Sequence, residues 1–410
     1  MSTTQSSQVG ANAKPFLHGP EAEAVAAVLA GGQYGHSRET EAFERELARF
    51  LGVPEVVAVA SGTDALHIAL LARGIGEGDE VVVPSMTFCA SVQAILMCGA
   101  VPRFADVDPG TLCVTPCTVM DAITAETRAV MPVLYGGRAV DLSGLHGTLA
   151  ARGIAVVEDA AQAFGSFCGP HRVGARPQAA TCFSFGPIKQ LTCGQGGVVV
   201  PRTPEEATSA RSLRMLGIVQ PQSERLRTTT YTVERTGLRA PLSGINAAIG
   251  RVQLRHFESS AARRGTLWRA YQDALRNVGE AVLVDVGIDS TVPFNCVVRV
   301  PRRDAVFRVM QAEGIAVGVH YPPNHLQPAF SRWHRDLPAT EMTAREILTL
   351  PFHPAMTCSD ADHVVTVLER ALRATCPGTV EHSALGSYAR PSATTDSSTS
   401  TSRSAASGRP

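Results

Sequence analysis

Residues 182–191 read Cys182-Phe183-Ser184-Phe185-Gly186-Pro187-Ile188-Lys189-Gln190-Leu191, and Gly194-Gln195-Gly196-Gly197 follow directly. A short apolar run of strand character ends here in a loop that carries a hydroxyl, an amine and then a glycine cluster. The amine is singular. Lys14 and Lys189 are the only lysines in the chain, and the other 35 of its 37 basic residues are arginine. A chain that uses arginine wherever a positive charge suffices keeps lysine where chemistry needs it: an amine can lose its proton and condense with an aldehyde, and a guanidinium cannot. Apolar neighbours would lower the pKa of Lys189 towards that of a nucleophile. A chance surface lysine remains the competing reading of composition taken alone.

Outward from this stretch, short β-branched runs alternate with helical ones from Val56 onward. The runs VVAVA (56–60), EVVVP (80–84), AVMPVLY (129–135), IAVVED (154–159), TCFSF (181–185) and GGVVVP (196–201) read as strands, with helices at 63–73 and 91–98 between them. This alternation predicts an α/β protein with a large, mostly parallel sheet covered by helices. A long helical stretch from Ile245 towards Asn277 then leads to a strand at 294–300, a helix near 303–313, a strand at 315–320 and a last helix over 359–374, a smaller α+β domain. The expected division is an unstructured arm at 1–14, a large domain at 15–250, a small domain at 251–376 and a Ser/Thr-rich tail at 377–410 whose composition cannot bury a core.

The 37 basic and 37 acidic residues cancel, so global charge attracts neither nucleic acid nor an anionic membrane, and an anionic ligand needs a local site. No apolar run approaches the roughly 20 residues of a membrane span, and the polar start has no signal-peptide pattern, which makes the cytoplasm the default location. The 10 cysteines include no C-x-x-C pair and are expected to be mostly buried free thiols.

Two further segments carry chemistry. Ser61-Gly62-Thr63-Asp64-Ala65-Leu66 lies where a strand yields to a helix, and free N–H groups with the helix dipole favour a phosphate there. Simple N-capping is the alternative. Val156-Val157-Glu158-Asp159-Ala160-Ala161-Gln162 closes an apolar strand at the sheet edge where ligands bind, and its carboxylate suits a protonated ring nitrogen. A helix-capping Asp is equally compatible with it. Together with Lys189 the three segments supply a phosphate cradle, a ring-nitrogen partner and a Schiff-base lysine, the set that pyridoxal 5′-phosphate (PLP) requires.

With these motifs, the chain resembles the DegT/DnrJ/EryC1/StrS family of PLP-dependent aminotransferases from about Gly31 to about residue 372. Phe43-Glu44, Gly78-Asp79-Glu80-Val81, Thr87-Phe88, Phe104-Ala105-Asp106-Val107-Asp108, Asn246-Ala247-Ala248-Ile249-Gly250 and His320-Tyr321-Pro322-Pro323 add to the likeness. The resemblance implies the type I, aspartate-aminotransferase-like fold and a homodimer with shared active sites. It assigns Lys189 and Asp159 to catalysis, the first as the Schiff-base amine and the second as the partner of the pyridine nitrogen. Gln162 would meet the ring hydroxyl and Phe88 would stack on the ring, while Gly62, Thr63, the backbone of Asp64, and Ser184 would bind phosphate. His320 and Tyr321 would line the substrate pocket. The implied reaction passes an amino group from a small amino-acid donor to a keto acceptor.

Departures from the family pattern bear on the acceptor. Arg239 stands where members commonly have an Asn that reaches the partner subunit's phosphate, and a guanidinium can still serve as a charged bidentate donor there. Gln195 replaces the Glu of Gly-Glu-Gly-Gly, and Pro132-Val133-Leu134-Tyr135-Gly136 shortens another segment. A metal is not expected, because His320 and His325 flank prolines, with His353 far along the chain, and none has helical ligand spacing. Two other readings stand beside amino transfer: a dehydrating PLP enzyme on the same fold, in whose relatives the lysine is commonly replaced, and a non-catalytic regulatory or scaffold protein.

Overall fold

The computed structural model describes residues 8–376, apart from Pro221 and Leu226. The 377–410 segment and residues 1–7, both expected to be unstructured, lie outside the described residues. Twelve strands follow in chain order: β1 Val57–Val59, β2 Glu80–Pro84, β3 Val101–Ala105, β4 Thr127–Val130, β5 Ala155–Asp159, β6 Phe167–Cys168, β7 His171–Arg172, β8 Ala180–Ser184, β9 Gly197–Val200, β10 Val282–Leu283, β11 Cys296–Arg299 and β12 Ile347–Leu350.

Seven of them form one sheet in the order β1-β9-β8-β5-β4-β2-β3. The pairs β2–β3, β2–β4, β4–β5 and β5–β8 are parallel, and β9 alone runs against both of its neighbours. The pleat explains why these strands read as continuous apolar runs. Val82 faces one buried layer while Val81 and Val83 face the other, and Val199 opposes Val198 and Val200 in the same way, so both sides of the sheet need cover. β10, β11 and β12 form an antiparallel sheet, and a third core packs on it with Trp268, Tyr271, Val298, Leu348, Val364 and Leu368. The large sheet lies wholly within 15–250 and the small one within 251–376, and contacts unite the described residues up to Thr375 in one compact unit.

Several expectations are corrected. The run 129–135 pairs only to Val130: Pro132 has no N–H to give a ladder, and Val133 makes a single bridge with Asp159. The stretch from Ile245 divides into helices Gly244–Arg255 and Phe257–Leu275 at His256. Residues 315–320 form no strand. Gly318 bridges Thr349, while the Ala316 N–H goes to Val9 O at 3.0 Å, because the N-terminal segment occupies that side. Residues 8–14, expected to be unstructured, are therefore held. Val9 is buried, and Asn12 Nδ2 donates to Ala316 O (3.1 Å) and Thr349 O (3.0 Å). None of the cysteines forms a disulfide. Cys113, Cys182, Cys193 and Cys296 are buried, but Cys89, Cys117 and Cys358 occupy solvent-facing positions at or near helix starts.

Candidate active site

The carboxyl ends of the strands gather the chemistry. Asp159 is the last residue of β5, Ser184 the last of β8, and Phe88 lies four residues beyond β2. Parallel strands expose their unpaired backbone ends along one edge, which is where an open α/β sheet holds a ligand.

At the end of β1, Ser61 caps the helix Gly62–Ala72. Its Oγ accepts the N–H of Asp64 at 3.0 Å and donates to Asp64 Oδ2 at 2.7 Å. Capping and anion binding thus coexist, at a cost to one expected ligand: the Asp64 N–H is already spent on Ser61. The N–H groups of Gly62 and Thr63 have no partner among the described residues. A Cβ on Gly62 would stand 2.6 Å from Ser184 Cβ, so only glycine lets the helix start meet the serine. Two free N–H groups and a hydroxyl converge there, as a phosphate requires.

Lys189 is partly buried, and its Nζ stands 4.6 Å from the centroid of the Phe294 ring. Burial lowers its pKa to about 8, against a smaller upward pull from Asp159. Asp159 is 5% exposed, with Oδ2 accepting from Ser91 Oγ at 2.7 Å and Oδ1 from the Ala161 N–H at 3.1 Å. Burial raises its pKa, opposed by these hydrogen bonds and by Lys189. A buried carboxylate with only partial compensation suits a cationic ring nitrogen. Ser91 in turn contacts Thr87 Oγ1 at 2.8 Å, which ties the carboxylate to the loop carrying Phe88.

Phe88 is 57% exposed and approaches Tyr321, with ring centroids 5.7 Å apart. Gln162 accepts the Gly136 N–H at 2.8 Å and donates to the Tyr321 hydroxyl at 3.2 Å, so its amide is oriented before any ligand arrives. His320 Nδ1 contacts Thr349 Oγ1 at 2.9 Å, and Tyr135 donates to the His320 carbonyl. Burial, with Lys189 second, pushes the His320 imidazole down to about 4, so it is neutral at physiological pH. The fold therefore brings together Gly62, Thr63, Ser184, Lys189, Asp159, Gln162, Phe88, Tyr321 and His320. Arg239 is exposed, with no ion pair or side-chain hydrogen bond among the described residues, and its neighbour Ala240 accepts the Ala60 N–H at 2.9 Å.

Sequence reasoning missed Ser91 and Phe294. Ser91 had a readable signal, a hydroxyl in the first turn after Phe88. Phe294 had none, since it reaches Lys189 from 105 positions away, at the start of a stretch read only as a strand. The residues present fit PLP: an anion cradle that a Cβ would fill, a lysine of lowered pKa, a buried carboxylate and an exposed aromatic face.

Known proteins resemble this chain over most of its length. The chain is 38% identical over 353 residues to the erythromycin biosynthesis sensory transduction protein EryC1 of Saccharopolyspora erythraea, covering 85% of this chain and 94% of that one. DesV of S. venezuelae, solved in complex with a ketimine intermediate, superposes with a TM-score of 0.81 at 35% identity, over 88% of this chain and 98% of its own. The sugar aminotransferase CalS13 of Micromonospora echinospora gives 0.82 at 28% identity, over 88% and 99%. The DegT/DnrJ/EryC1/StrS aminotransferase family profile matches residues 17–369, and the chain belongs to that family of PLP-dependent enzymes with small-molecule substrates and the type I fold.

Proposed function

We propose that this aminotransferase binds PLP at Lys189 and passes an amino group from glutamate or glutamine to a keto-sugar, a nucleotide-linked keto-sugar or a cyclitol-like ketone in a biosynthetic pathway. The observation that carries this reading is the placing of the Lys189 amine beside the Asp159 carboxylate, with the free N–H groups of Gly62 and Thr63 at Ser184. When bound, the cofactor supplies the electron-withdrawing ring on which transfer chemistry depends.

The chain's own groups do the rest. Gly62, Thr63 and Ser184 anchor the phosphate, and Asp159, oriented by Ser91, keeps a proton on the ring nitrogen. Phe88 would pack against a bound ring, and Gln162 fixes the neighbouring Tyr321 hydroxyl. With its pKa near 8, Lys189 Nζ is poised to take a proton from the substrate carbon and return it elsewhere at neutral pH. Neutral His320 offers hydrogen bonding without repelling that amine. The sugar-like acceptor is supported by the similarity to CalS13, named a sugar aminotransferase. Retention of Lys189 favours transfer over dehydration.

Among the described residues only the Asp159 charge acts measurably on Lys189, and Arg239 is exposed. The homodimer reading makes Arg239 a ligand in the partner's site, for its cofactor phosphate or for an acidic substrate group. A half-reaction screen tests the whole proposal. Each amino acid is incubated with the PLP-loaded protein and the absorbance of the amine form of the cofactor is followed, then keto acceptors are offered to that form. Glutamate or glutamine should convert the cofactor fastest, and a sugar ketone should restore it. Conversion by neither donor, or release of water from the sugar without amination, overturns the reading.

A further inference from the structure

The spacing that spoke against a metal concerned His320, His325 and His353, but folding gathers a different set. His325, His334 and Glu341 each bring one ligand-type atom into a cluster whose members all lie within 4.8 Å of one another. We propose that these three side chains bind a divalent first-row cation of the zinc class, next to the loop that carries Phe88.

The donor chemistry is right for such an ion: two imidazoles and a carboxylate match borderline metals, and three protein ligands leave a fourth position for water. The ligands are also held in place. His325 is fully buried, and its Nδ1 lies 2.6 Å from Ser85 Oγ, which accepts the His325 N–H at 3.0 Å as well. Without an ion Ser85 donates to Nδ1 and Nε2–H faces Glu341 Oε1, 3.5 Å away; an ion on Nε2 would take the other tautomer, with Nδ1–H donating to Ser85 Oγ. An outer hydrogen bond that fixes the ring in this way is the usual support of a metal-binding histidine.

The backbone carrying the other two ligands is pinned to the end of β3. Arg335, next to His334, donates to Phe104 O at 2.6 Å and Asp121 O at 3.3 Å. The Asp106 carboxylate accepts the N–H groups of Ala339 (3.0 Å) and Thr340 (2.7 Å), together with the Thr340 hydroxyl (2.7 Å), one residue before Glu341. Tetrahedral bonds of about 2.1 Å put ligand atoms roughly 3.4 Å apart, so closing the cluster takes side-chain shifts of about 1 Å. Exposed His334 and half-buried Glu341 have that freedom, and His334 opens the cluster to solvent. Among the described residues the cation paired with this carboxylate is Arg345, 4.0 Å from Glu341 Oε2 with a side chain 76% exposed, a loose competitor.

The site would be coupled to the cofactor pocket. Asn324, beside His325, donates to Ser85 O (3.0 Å) and Thr87 O (2.7 Å), immediately before Phe88. An ion gripping His325 would stiffen that loop.

The test uses the full-length, PLP-loaded protein freed of metal by a chelator and titrated with Zn²⁺ by calorimetry and with Co²⁺ by absorbance. One equivalent should bind per chain, the Co²⁺ spectrum should show d–d bands without thiolate charge transfer, and Zn²⁺ should raise the melting temperature. His334→Ala and Glu341→Gln change solvent-facing side chains and keep the buried His325, and each should weaken affinity by about tenfold or more. No binding at millimolar Zn²⁺, binding unchanged in both variants, or a thiolate spectrum from the exposed cysteines would each overturn the proposal and leave His325–Glu341 a plain hydrogen-bonded pair.

Discussion

Lys189 shows how one residue can be read from chemistry alone and then explained by its surroundings. Arginine dominates the basic residues, so a lysine kept outside the N-terminal segment has a reason, and the structure supplies the mechanism: burial near Phe294 and incomplete compensation by Asp159 lower its pKa to about 8. In the cofactor-free protein the amine is therefore protonated below that value and nucleophilic above it. Acylation of Lys189, followed by peptide mapping, should reach half its maximal rate near pH 8, where an ordinary lysine needs about 10.4. A midpoint above 10 would show that the pocket does not lower the pKa. Borohydride reduction of the PLP-loaded protein should leave the pyridoxyl group on this same residue. Asp159→Asn preserves shape and removes charge. It should keep most cofactor binding and slow the half-reaction by about a hundredfold or more, while an undiminished single-turnover rate would assign ring activation to another group.

Among elements, period and composition exposed those buried on both faces and missed those defined by partners. β2, β5, β8 and β9 are apolar runs because each needs cover above and below, so their strand character shows in one dimension. The 315–320 run has the same composition but meets the N-terminal segment instead of a second strand, and no local signal distinguishes the two cases. The helix Gly244–Arg255 was legible as helix, whereas its glycine answers to a distant ring: a Cβ on Gly250 would stand 2.5 Å from Phe43 Cζ. The held segment at residues 8–14 is testable at one side chain. Asn12→Ala removes both hydrogen bonds to Ala316 and Thr349 and should cost about 2 kcal/mol in chemical denaturation. A loss below about 0.5 kcal/mol would mean that Val9 and the backbone bonds of Val9 and Asn12 hold the segment without the Asn12 side chain.

For the whole molecule, the decisive question is whether an active site draws on two chains. Lys189→Ala and Arg239→Ala should each be inactive or severely impaired alone. If Arg239 serves the partner's site, mixing the two with subunit exchange verified places both defects in one site of each heterodimer and frees the other, so up to about half of the wild-type activity per heterodimer returns. Absence of recovery would place Arg239 in its own chain's site or outside both. The sequence by itself determined the alternating α/β order, a lone reactive lysine beside a glycine cluster and the likeness to an aminotransferase family, because hydrophobic period and rare reactive residues are local properties. Only the tertiary structure decided that Ser91 and Phe294 support Asp159 and Lys189, and that His325, His334 and Glu341 meet. The physical reason is the range of each interaction. Periodicity is set by neighbours along the chain, while a hydrogen bond or a ligand cluster depends on distances of a few ångströms between segments that only folding brings together.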